Sequence, residues 1–237
     1  MTIMIRIKLN REMTFDLVVS LRLLFWPDIT EEWFERKRHW PDSQTLCEIR
    51  EIGCSLVRKS IGEELNTWRL SFSQAEVILA NKQNPFQKRS FLLAKLIFTL
   101  ETHGHVDGET ERKLCSYHLK TVYLFTLEDT PPEEFEKLEQ TNDYLKLAFV
   151  MLERLSKALK TGYLPCFFVK EMNLLRGFDE RFLNDIADRF ANLSKDNTFI
   201  KNLVKKFKQA RILTFLPKKD RRRMTASPLL NKRCSIM

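Results

Sequence analysis

The most constraining feature of the chain is an alternating pattern at its start that the later sequence does not repeat. Residues 3–9 alternate apolar side chains with arginine and lysine, which is the period of a half-buried β-strand. A turn at 10–13 and a second apolar run at 14–21 complete a predicted β-hairpin. An isolated hairpin is marginally stable in water, so we expect this one to pack on helices or to belong to a larger sheet.

The remaining sequence predicts helices and no further convincing strand. Only 6 Gly and 8 Pro occur in 237 residues, and apolar side chains recur at helical spacing. Asp28 is the expected N-cap of the first helix, and Ser73 with Glu76 has the spacing of a capping box. Helices are expected at about 29–37, 43–57, 87–102, 109–128, 142–160 and 179–192, with another beginning at 73 and a last one near 199–207. The predicted fold class is mainly α with a short N-terminal β-hairpin.

Composition excludes several classes of protein. Hydrophobic residues make up 43% of the chain, which is typical of a folded protein and not of a disordered one. No apolar run reaches the roughly 18 residues that span a bilayer, and the N-terminus lacks the apolar segment of a signal peptide. The five cysteines include no Cys-x-x-Cys pair. We therefore expect a reducing, cytoplasmic location, no disulfide framework and no zinc site.

Positive charge is concentrated at the C-terminal end. Residues 195–237 contain 13 basic and two acidic residues, whereas the whole chain carries +9 and the preceding residues therefore −2. A near-neutral body argues against a nucleic-acid surface spread over the whole fold. The last four residues, from Cys234, read Cys-Ser-Ile-Met and fit a prenylation box in which methionine favours farnesyl. A lipid on Cys234 beside a basic tail predicts association with an anionic membrane surface, and the alternative is a basic coil that ends this way by accident.

A dense group of polar side chains lies within residues 114–121. Ser116, Tyr117, His118 and Lys120 place a hydroxyl, a phenol, an imidazole and an ammonium within five positions of an expected helix. A helix that only fills a core does not need this density of polar groups. Two interpretations are open at this point: a ligand-binding surface, or a buried polar network that ties helices together.

Several blocks of sequence, taken in order, resemble a known family. They are Phe-Asp-Leu-Val-Val-Ser-Leu at 15–21 with Trp-Pro at 26–27, Trp-Arg-Leu-Ser-Phe-Ser at 68–73, Ser-Tyr-His-Leu-Lys-Thr at 116–121, Leu-Pro-x-Phe-Phe at 164–168 and Asn-Leu-Leu at 173–175. Their order and spacing resemble the male-abnormal-21-like family, which includes cyclic GMP–AMP synthase. The resemblance covers about residues 3–193.

The resemblance implies a two-lobed fold, in which a nucleotidyltransferase sheet precedes a helical lobe of the HhH/H2TH-like type. Active members hold two Mg²⁺ or Mn²⁺ ions on three carboxylates and make a cyclic dinucleotide from ATP and GTP, in nucleic-acid sensing and innate immunity. By resemblance, Asp16 is the third of these carboxylates and therefore a catalytic residue and metal ligand.

The resemblance also implies a nucleotide-binding set. Lys95 and Ser116 match positions that hold the triphosphate of the donor nucleotide, and Tyr117 matches the aromatic residue that stacks on a base. Arg69 and Ser71 match residues that read the second base. These residue types suit those roles, because lysine offers a point charge, arginine a planar fork and tyrosine a stacking face.

The chain departs from the family at its start. In the family, the first two carboxylates and the Gly-Ser loop that grips the phosphates precede the strand with which this sequence begins. One carboxylate cannot hold the two ions that in-line phosphoryl transfer uses. We therefore expect that these residues do not catalyse nucleotidyl transfer as given. Binding of Mg²⁺ or Mn²⁺ is expected only if a full catalytic lobe is present. The sequence then represents either a truncated gene product or a helical lobe kept as a binding module.

A second departure concerns zinc. Vertebrate cyclic GMP–AMP synthase carries a zinc insertion of His and Cys at this point of the helical lobe, whereas residues 81–88 hold no zinc ligand. Zinc and zinc-assisted DNA binding are therefore not expected. His103, His105 and Asp107 are the alternative metal ligands, but loop histidines without a third well-placed ligand are more often bystanders.

Three segments are predicted: a remnant of the nucleotidyltransferase lobe at 1–42, the helical HhH/H2TH-like domain at 43–216, and a basic flexible tail at 217–237. The leading hypothesis is a non-catalytic family member that acts as a nucleotide- or protein-binding or scaffolding module. The rival is part of a nucleotidyltransferase that uses ATP and GTP with two metal ions. The third is a membrane-tethered interaction protein anchored through Cys234.

Overall fold

The computed structural model describes residues 2–8, 12–58, 67–108 and 112–193, with side chains described from residue 19 onward. These residues form two compact units. Unit 1 comprises residues 1–36 and 41–82, and unit 2 comprises residues 37–40 and the chain from 83, in each case as far as described. The predicted boundary after residue 42 lies within unit 1. The predicted helix near 199–207 and the tail at 217–237, with Cys234, lie outside the described residues.

In the described part of unit 1, short strands form two antiparallel sheets. The first sheet is the predicted hairpin of β1 with β2, and the second is a three-stranded sheet in the order β3-β4-β5. The strands are β1 (Thr2–Lys8), β2 (Glu12–Val18), β3 (Ser20–Leu23), β4 (Cys54–Arg58) and β5 (Trp68–Ser71). The prediction that no strand follows the hairpin is therefore wrong, and the predicted second strand is divided into β2 and β3.

The predicted helix over 43–57 is wrong at its end. Helix α2 (Ser43–Ile52) stops at Gly53, and the following five residues form β4. Gly53 has φ +68°, and a Cβ there would lie 2.0 Å from the carbonyl oxygen of Leu23 in β3. Glycine is required at this turn because it has no Cβ to meet that carbonyl. The short apolar run after Gly53 fits a helix face and a buried strand equally well, so its spacing could not decide between them.

The first helical segment begins differently from the prediction. A 3-10 helix at Asp28–Thr30 precedes α1 (Glu31–Glu35), and the N-cap of α1 is Thr30. The prediction that Asp28 caps this helix is therefore wrong. Asp28 instead lies in the first turn of the 3-10 helix, where a negative charge complements the partial positive charge of the helix end.

The predicted capping box of the third helix is also wrong. α3 (Ser73–Asn81) has Phe72 as its N-cap, without a side-chain cap hydrogen bond. Phe72 is buried, so packing of this ring, and not a hydroxyl cap at Ser73, accompanies the start of the helix.

The core of unit 1 is aromatic. Trp26 stacks on Trp33 and Phe72 with ring centroids 6.1 and 5.6 Å apart, and its indole N–H donates to the carbonyl of Ile49 at 3.1 Å. Trp33 and Ile49 are fully buried. Because these residues belong to α1, α2 and the start of α3, the cluster holds the three helices together.

Unit 2 is helical in its described residues. Its helices are α4 (Pro85–Thr102), α5 (Ser116–Asp129), α6 (Pro132–Thr141), α7 (Tyr144–Thr161) and α8 (Glu180–Leu193). The predictions for α4, α7 and α8 are confirmed within a few residues, but α5 begins at Ser116 and not near 109. α6 has no counterpart among the predicted helices, because Phe135 is its one buried residue and gives no apolar periodicity. The predicted fold class, mainly α with a short N-terminal β region, is confirmed.

α7 is the central helix of unit 2 and packs against α4, α5, α6 and α8. Ten of its 18 residues are buried. Asp143 caps its start by accepting the N–H of Lys146 at 3.1 Å, and Gly162 ends it in the left-handed conformation at φ +62°. Each fully buried leucine contributes roughly 1.5–3 kcal/mol relative to an exposed one, so the buried face of α7 contributes strongly to the stability of this unit.

Candidate nucleotide-binding site

The polar stretch at 114–121 forms the start of α5. Cys115 is extended, with φ −118° and ψ 165°, and is the N-cap, so the helix begins at Ser116. Leu119 is fully buried and anchors this turn, whereas Ser116 is exposed and Tyr117 is half-buried. The sequence predicted that this stretch lies inside a helix. In the structure it lies at the N-terminal end of one. This position places Ser116 at the partially positive end of the helix dipole.

Tyr117 lies between a cation and a buried thiol. Its hydroxyl is 3.9 Å from Sγ of Cys166, and the ammonium nitrogen of Lys120 is 5.3 Å from the centroid of its ring. A cation at this distance from an aromatic face contributes roughly 0.5–1 kcal/mol at an exposed site. Because Lys120 occupies one face of the ring, a stacked base would use the other face or displace the lysine.

Lys95 lies on α4, which packs against α5. Its neighbours Leu93 and Ala94 are buried, but Lys95 itself is exposed. Of the predicted nucleotide-binding residues, Lys95, Ser116 and Tyr117 thus lie on two helices of unit 2 that are in contact. Their roles towards phosphate and base stay predictions.

Arg69 and Ser71 lie on β5 of unit 1. Alternate residues of a strand point to the same side of the sheet, so these two side chains share one face. Arg69 is exposed, and the Ser71 hydroxyl is 3.5 Å from that of Ser73. Their predicted role in reading a second base stays a prediction.

Asp16 lies in β2, where its backbone pairs with Met4 of β1. The paired strand, Thr2–Lys8, contains no carboxylate. Among residues with described side chains, no group of three or more His, Cys, Asp or Glu could hold a metal ion. A two-metal site needs several carboxylates around both ions, and the strand paired with β2 offers none. Asp16 as a catalytic metal ligand stays a prediction.

The alternative metal ligands of the 103–107 loop have other partners. Nδ1 of His105 lies 3.2 Å from the carbonyl oxygen of His103. Asp107 is fully buried and accepts the backbone N–H of Asp179 at 2.9 Å, just before α8. The carboxylate of Asp107 thus joins this loop to the start of α8.

None of the helices in the described part of the chain is both long enough and apolar enough to cross a membrane.

Cys115 and His118 form a hydrogen-bonded pair at the start of α5. Nδ1 of His118 lies 3.5 Å from Sγ of Cys115 and 3.1 Å from its backbone nitrogen, whose N–H donates to the ring. In return, Sγ accepts the backbone N–H of His118. His118 is 7% exposed and packs edge-on against Phe178, with ring centroids 5.8 Å apart.

Each member of this pair changes the pKa of the other. The hydrogen bond with His118 lowers the pKa of the Cys115 thiol to about 7, although partial burial opposes this shift. Burial lowers the pKa of His118, but its hydrogen bond and electrostatic interaction with Cys115 raise it, and the net direction is upward. Both shifts increase the share of the thiolate and of the imidazolium, because each charge stabilises the other. In the neutral ring Nδ1 accepts the N–H of Cys115, whereas in the imidazolium the same nitrogen carries a proton and is a donor.

Sequence reasoning missed this pair. The available signal is the spacing of three residues between an N-cap and the N3 position, which is the spacing of a capping box with cysteine in place of serine. The interpretation of His118 as part of a polar network is consistent with its hydrogen bonds to Cys115.

Two family models match the chain. The model described as "Mab-21 protein nucleotidyltransferase domain" matches residues 1–81, and the model described as "Mab-21 protein HhH/H2TH-like domain" matches residues 91–192. The first match ends one residue before the end of unit 1, and the second covers most of α4 and all of α5 to α7.

Curated relatives carry names from the same family. The chain is 28% identical over 188 residues to "Cyclic GMP-AMP synthase-like receptor" of Aethina tumida, covering 75% of this chain and 44% of that protein. It is 25% identical over 187 residues to "Protein mab-21-like 3" of Danio rerio, covering 78% and 44%. A "Cyclic GMP-AMP synthase-like receptor" of Magallana gigas is 28% identical over 173 residues, covering 70% and 28%. The chain thus spans less than half the length of each of these relatives.

The matches agree with the structure and with one another. Both parts of the Mab-21 architecture occur in the expected order, with the strands in the first and the long helices in the second. With the relatives named above, they show that this chain belongs to the Mab-21 family of cyclic GMP–AMP synthase-like nucleotidyltransferases.

Proposed function

We propose that these 237 residues bind a nucleoside triphosphate at the first turn of α5 and do not form a cyclic dinucleotide by themselves. The observation that carries the proposal is the position of Ser116 and Tyr117 side by side at the start of α5, with Ser116 exposed and Tyr117 half-buried. The family match supports it, because the family is one of nucleotidyltransferases.

The chemistry of the start of α5 suits a phosphate group. The N-terminal end of a helix carries unpaired N–H donors and a partial positive charge, both of which favour anions. The hydroxyl of Ser116 adds a donor at this end, and the exposed ammonium of Lys95 on the neighbouring helix adds a mobile positive charge. Together these groups favour the triphosphate of a nucleotide over an uncharged ligand.

The base would stack on Tyr117. Stacking of a base on an aromatic side chain contributes roughly 1–3 kcal/mol and tolerates different bases, so ATP and GTP are both reasonable ligands. Mg²⁺ would enter with the phosphates, since this ion is commonly held by substrate oxygens and few protein ligands.

The non-catalytic part of the proposal concerns the polypeptide of these 237 residues alone. Asp16 is the residue that the resemblance matches to a catalytic carboxylate, and its partner strand β1 supplies no second one. Transfer of a nucleotidyl group by the family's two-metal chemistry needs both ions to be held. A nucleotide could therefore bind without being converted.

Calorimetric titration of the protein with ATP and with GTP, in the presence of Mg²⁺, tests binding. We expect saturable binding of at least one nucleotide, and the absence of binding up to about 1 mM nucleotide would overturn the proposal. Lys95→Ala should weaken binding by roughly ten- to 100-fold, because charge-assisted hydrogen bonds contribute about 1.5–3 kcal/mol. The matched control is Lys88→Ala, an exposed lysine two turns earlier on α4, which should leave affinity unchanged.

Tyr117→Leu tests stacking with little loss of buried apolar volume. We expect roughly tenfold weaker binding, from the loss of about 1–3 kcal/mol of stacking. Tyr163→Leu is the matched control, because Tyr163 is exposed and its hydroxyl donates to the carbonyl of Lys170 at 3.0 Å. Equal affinities for the two variants would exclude a stacking role for Tyr117.

Chromatography of a reaction containing the protein, Mg²⁺ or Mn²⁺, ATP and GTP tests catalysis. We expect no cyclic dinucleotide. A product that disappears in Asp16→Ala would show that these residues catalyse, and would overturn the non-catalytic part of the proposal.

A second candidate function is that the chain forms part of a longer cyclic dinucleotide synthase. It is favoured by the match to relatives named cyclic GMP-AMP synthase-like receptors, of which this chain covers 44% and 28%. Sequencing the 5′ ends of the transcripts tests it. An upstream reading frame that encodes a Gly-Ser loop followed by two carboxylates would support it, and transcripts that start just before Met1 would exclude it.

A further inference from the structure

The thiol of Cys115 is placed as an accessible nucleophile with a base beside it. Cys115 is exposed, whereas His118 is 7% exposed and directs Nδ1 towards Sγ at 3.5 Å. The imidazole is held on its other side by a backbone hydrogen bond to Leu174 and by the ring of Phe178. A nucleophile, a base within reach and a group that orients the base are the three parts of an activated side chain.

The helix start adds to this activation. Sγ of Cys115 accepts the backbone N–H of His118 and lies at the partially positive end of a 14-residue helix. Both features stabilise the thiolate relative to the thiol. Among the described cysteines, Cys54 and Cys166 are buried and Cys47 is the other exposed one. Because both thiols are exposed, the reactivity of Cys115 can be compared with that of Cys47 in the same protein.

We propose that Cys115 is a site of reversible oxidation, which a peroxide and a low-molecular-weight thiol such as glutathione modify in two steps. First, the thiolate sulfur attacks one oxygen of hydrogen peroxide, an S–O bond forms and the O–O bond breaks. The sulfur is oxidised by two electrons to a sulfenic acid, and the departing hydroxide takes the proton held by His118 and leaves as water. Second, the thiol of glutathione gives its proton to the neutral His118 and its sulfur attacks the sulfenic sulfur, so that an S–S bond forms and the S–O bond breaks. The departing hydroxide takes the proton from His118 and leaves as water.

The modification would act on the neighbouring nucleotide site, a consequence that rests on the proposed function above. Cys115 immediately precedes Ser116 and Tyr117, so a glutathionyl group would place a bulky tripeptide beside the first turn of α5. This bulk would obstruct the approach of a triphosphate to the start of the helix. The oxidised protein would therefore bind nucleotide more weakly than the reduced protein.

Mapping of sulfenic acid tests the site of modification. The reduced protein is treated with hydrogen peroxide at pH 7 with a dimedone-type probe, and labelling of every cysteine peptide is followed by mass spectrometry. We expect Cys115 to be labelled about threefold faster than Cys47, since its larger thiolate fraction outweighs the lower intrinsic nucleophilicity of a low-pKa thiol. Equal or slower labelling of Cys115 would overturn the proposal.

Two variants test whether His118 causes the faster labelling of Cys115. His118→Gln should lower the labelling of Cys115 to the rate of Cys47 while circular dichroism shows an unchanged helical signal. If this variant does not fold, the comparison of Cys115 with Cys47 in the native protein still decides. Cys47→Ser should leave Cys115 labelling unchanged, and a drop in that variant would overturn the assignment of reactivity to the Cys115–His118 pair.

Nucleotide titration of the reduced and glutathionylated proteins tests the consequence. We expect at least a tenfold loss of affinity on glutathionylation, restored by a reductant, and no oxidant sensitivity in Cys115→Ser. Equal affinities of the reduced and modified proteins would overturn regulation of the site. If the reduced protein binds no nucleotide, the proposed function fails while the peptide mapping decides the modification independently.

Discussion

The guanidinium of Arg38 lies 3.4 Å from the carboxylate of Glu128, and both side chains are almost completely buried, at 5% and 2% exposure. The backbone N–H of His39 also donates to the carbonyl of Glu128 at 2.9 Å. Residues 37–40 are thereby joined to the C-terminal end of α5, although the chain on either side of them belongs to unit 1.

Arg38→Met should destabilise unit 2 strongly. The change removes the positive charge that faces the buried carboxylate of Glu128, and breaking a buried ion pair from one side typically costs about 3–5 kcal/mol. The control is Arg154→Met at the exposed ion pair with Asp129, where a loss of under about 1 kcal/mol is expected. Urea unfolding followed by circular dichroism measures both, and equal losses would contradict the dominant role of burial. The double variant with Glu128→Leu should recover most of the loss, because it leaves no buried charge.

Gly53→Ala should destabilise unit 1 more than Gly162→Ala destabilises unit 2. Both glycines have positive φ, but a Cβ at Gly53 would meet the Leu23 carbonyl at 2.0 Å, whereas a Cβ at Gly162 meets nothing within 4 Å. The left-handed conformation of Gly162, with ψ 17°, costs a non-glycine residue about 1–2 kcal/mol. Gly53 has ψ −160°, in a region that is essentially restricted to glycine, so its conformational cost is at least as large. The backbone clash adds to that cost at Gly53, for a total above about 3 kcal/mol. Thermal unfolding of both variants gives the comparison, and similar shifts in Tm would contradict it.

The helices of unit 2 could largely be predicted from sequence because their apolar faces are long. α7 buries residues in every turn over 18 positions, and Asp143 and Gly162 mark its ends with ordinary capping chemistry. The strands β4 and β5 could not be predicted in this way. Each is only four or five residues long, and β4 pairs with β3 next to the close approach of Gly53 to the Leu23 carbonyl, which is a tertiary contact.

The sequence could identify a residue of the candidate site only where that residue belongs to a recognisable sequence block. Ser116 and Tyr117 are identified by their block of sequence, and the structure adds that they begin α5. The pairing of Cys115 with His118 depends on the rotamer of a buried ring that packs against Phe178, 60 residues later. The capping-box spacing of Cys115 and His118 is visible in the sequence, but the packing of the ring against Phe178 is not, so the pair was missed.

Substitution by alanine should change the free energy of unfolding differently at two buried serines of unit 2. Ser156 donates its hydroxyl to the carbonyl of Ala187 at 2.7 Å and joins α7 to α8, so Ser156→Ala should cost about 1–3 kcal/mol. Ser90 on α4 is fully buried, and its hydroxyl has no hydrogen-bond partner among the described residues. Ser90→Ala removes a buried polar group without removing a bond, so unchanged or increased stability is expected. Chemical unfolding of both variants tests this, and a large loss for Ser90→Ala would reveal a partner such as an ordered water.

The rate of Cys115 alkylation should depend on pH with a midpoint near 7. The hydrogen bond with His118 lowers the pKa of the thiol to about 7 from an ordinary 9.0, so the reactive thiolate is lost only as the pH falls through 7. Iodoacetamide labelling of Cys47→Ser between pH 5 and 10, quantified on the Cys115 peptide, measures the midpoint. In His118→Gln the midpoint should move upward towards 9, because the stabilising imidazolium is gone. An unchanged midpoint in that variant would show that the helix end, and not His118, activates the thiol.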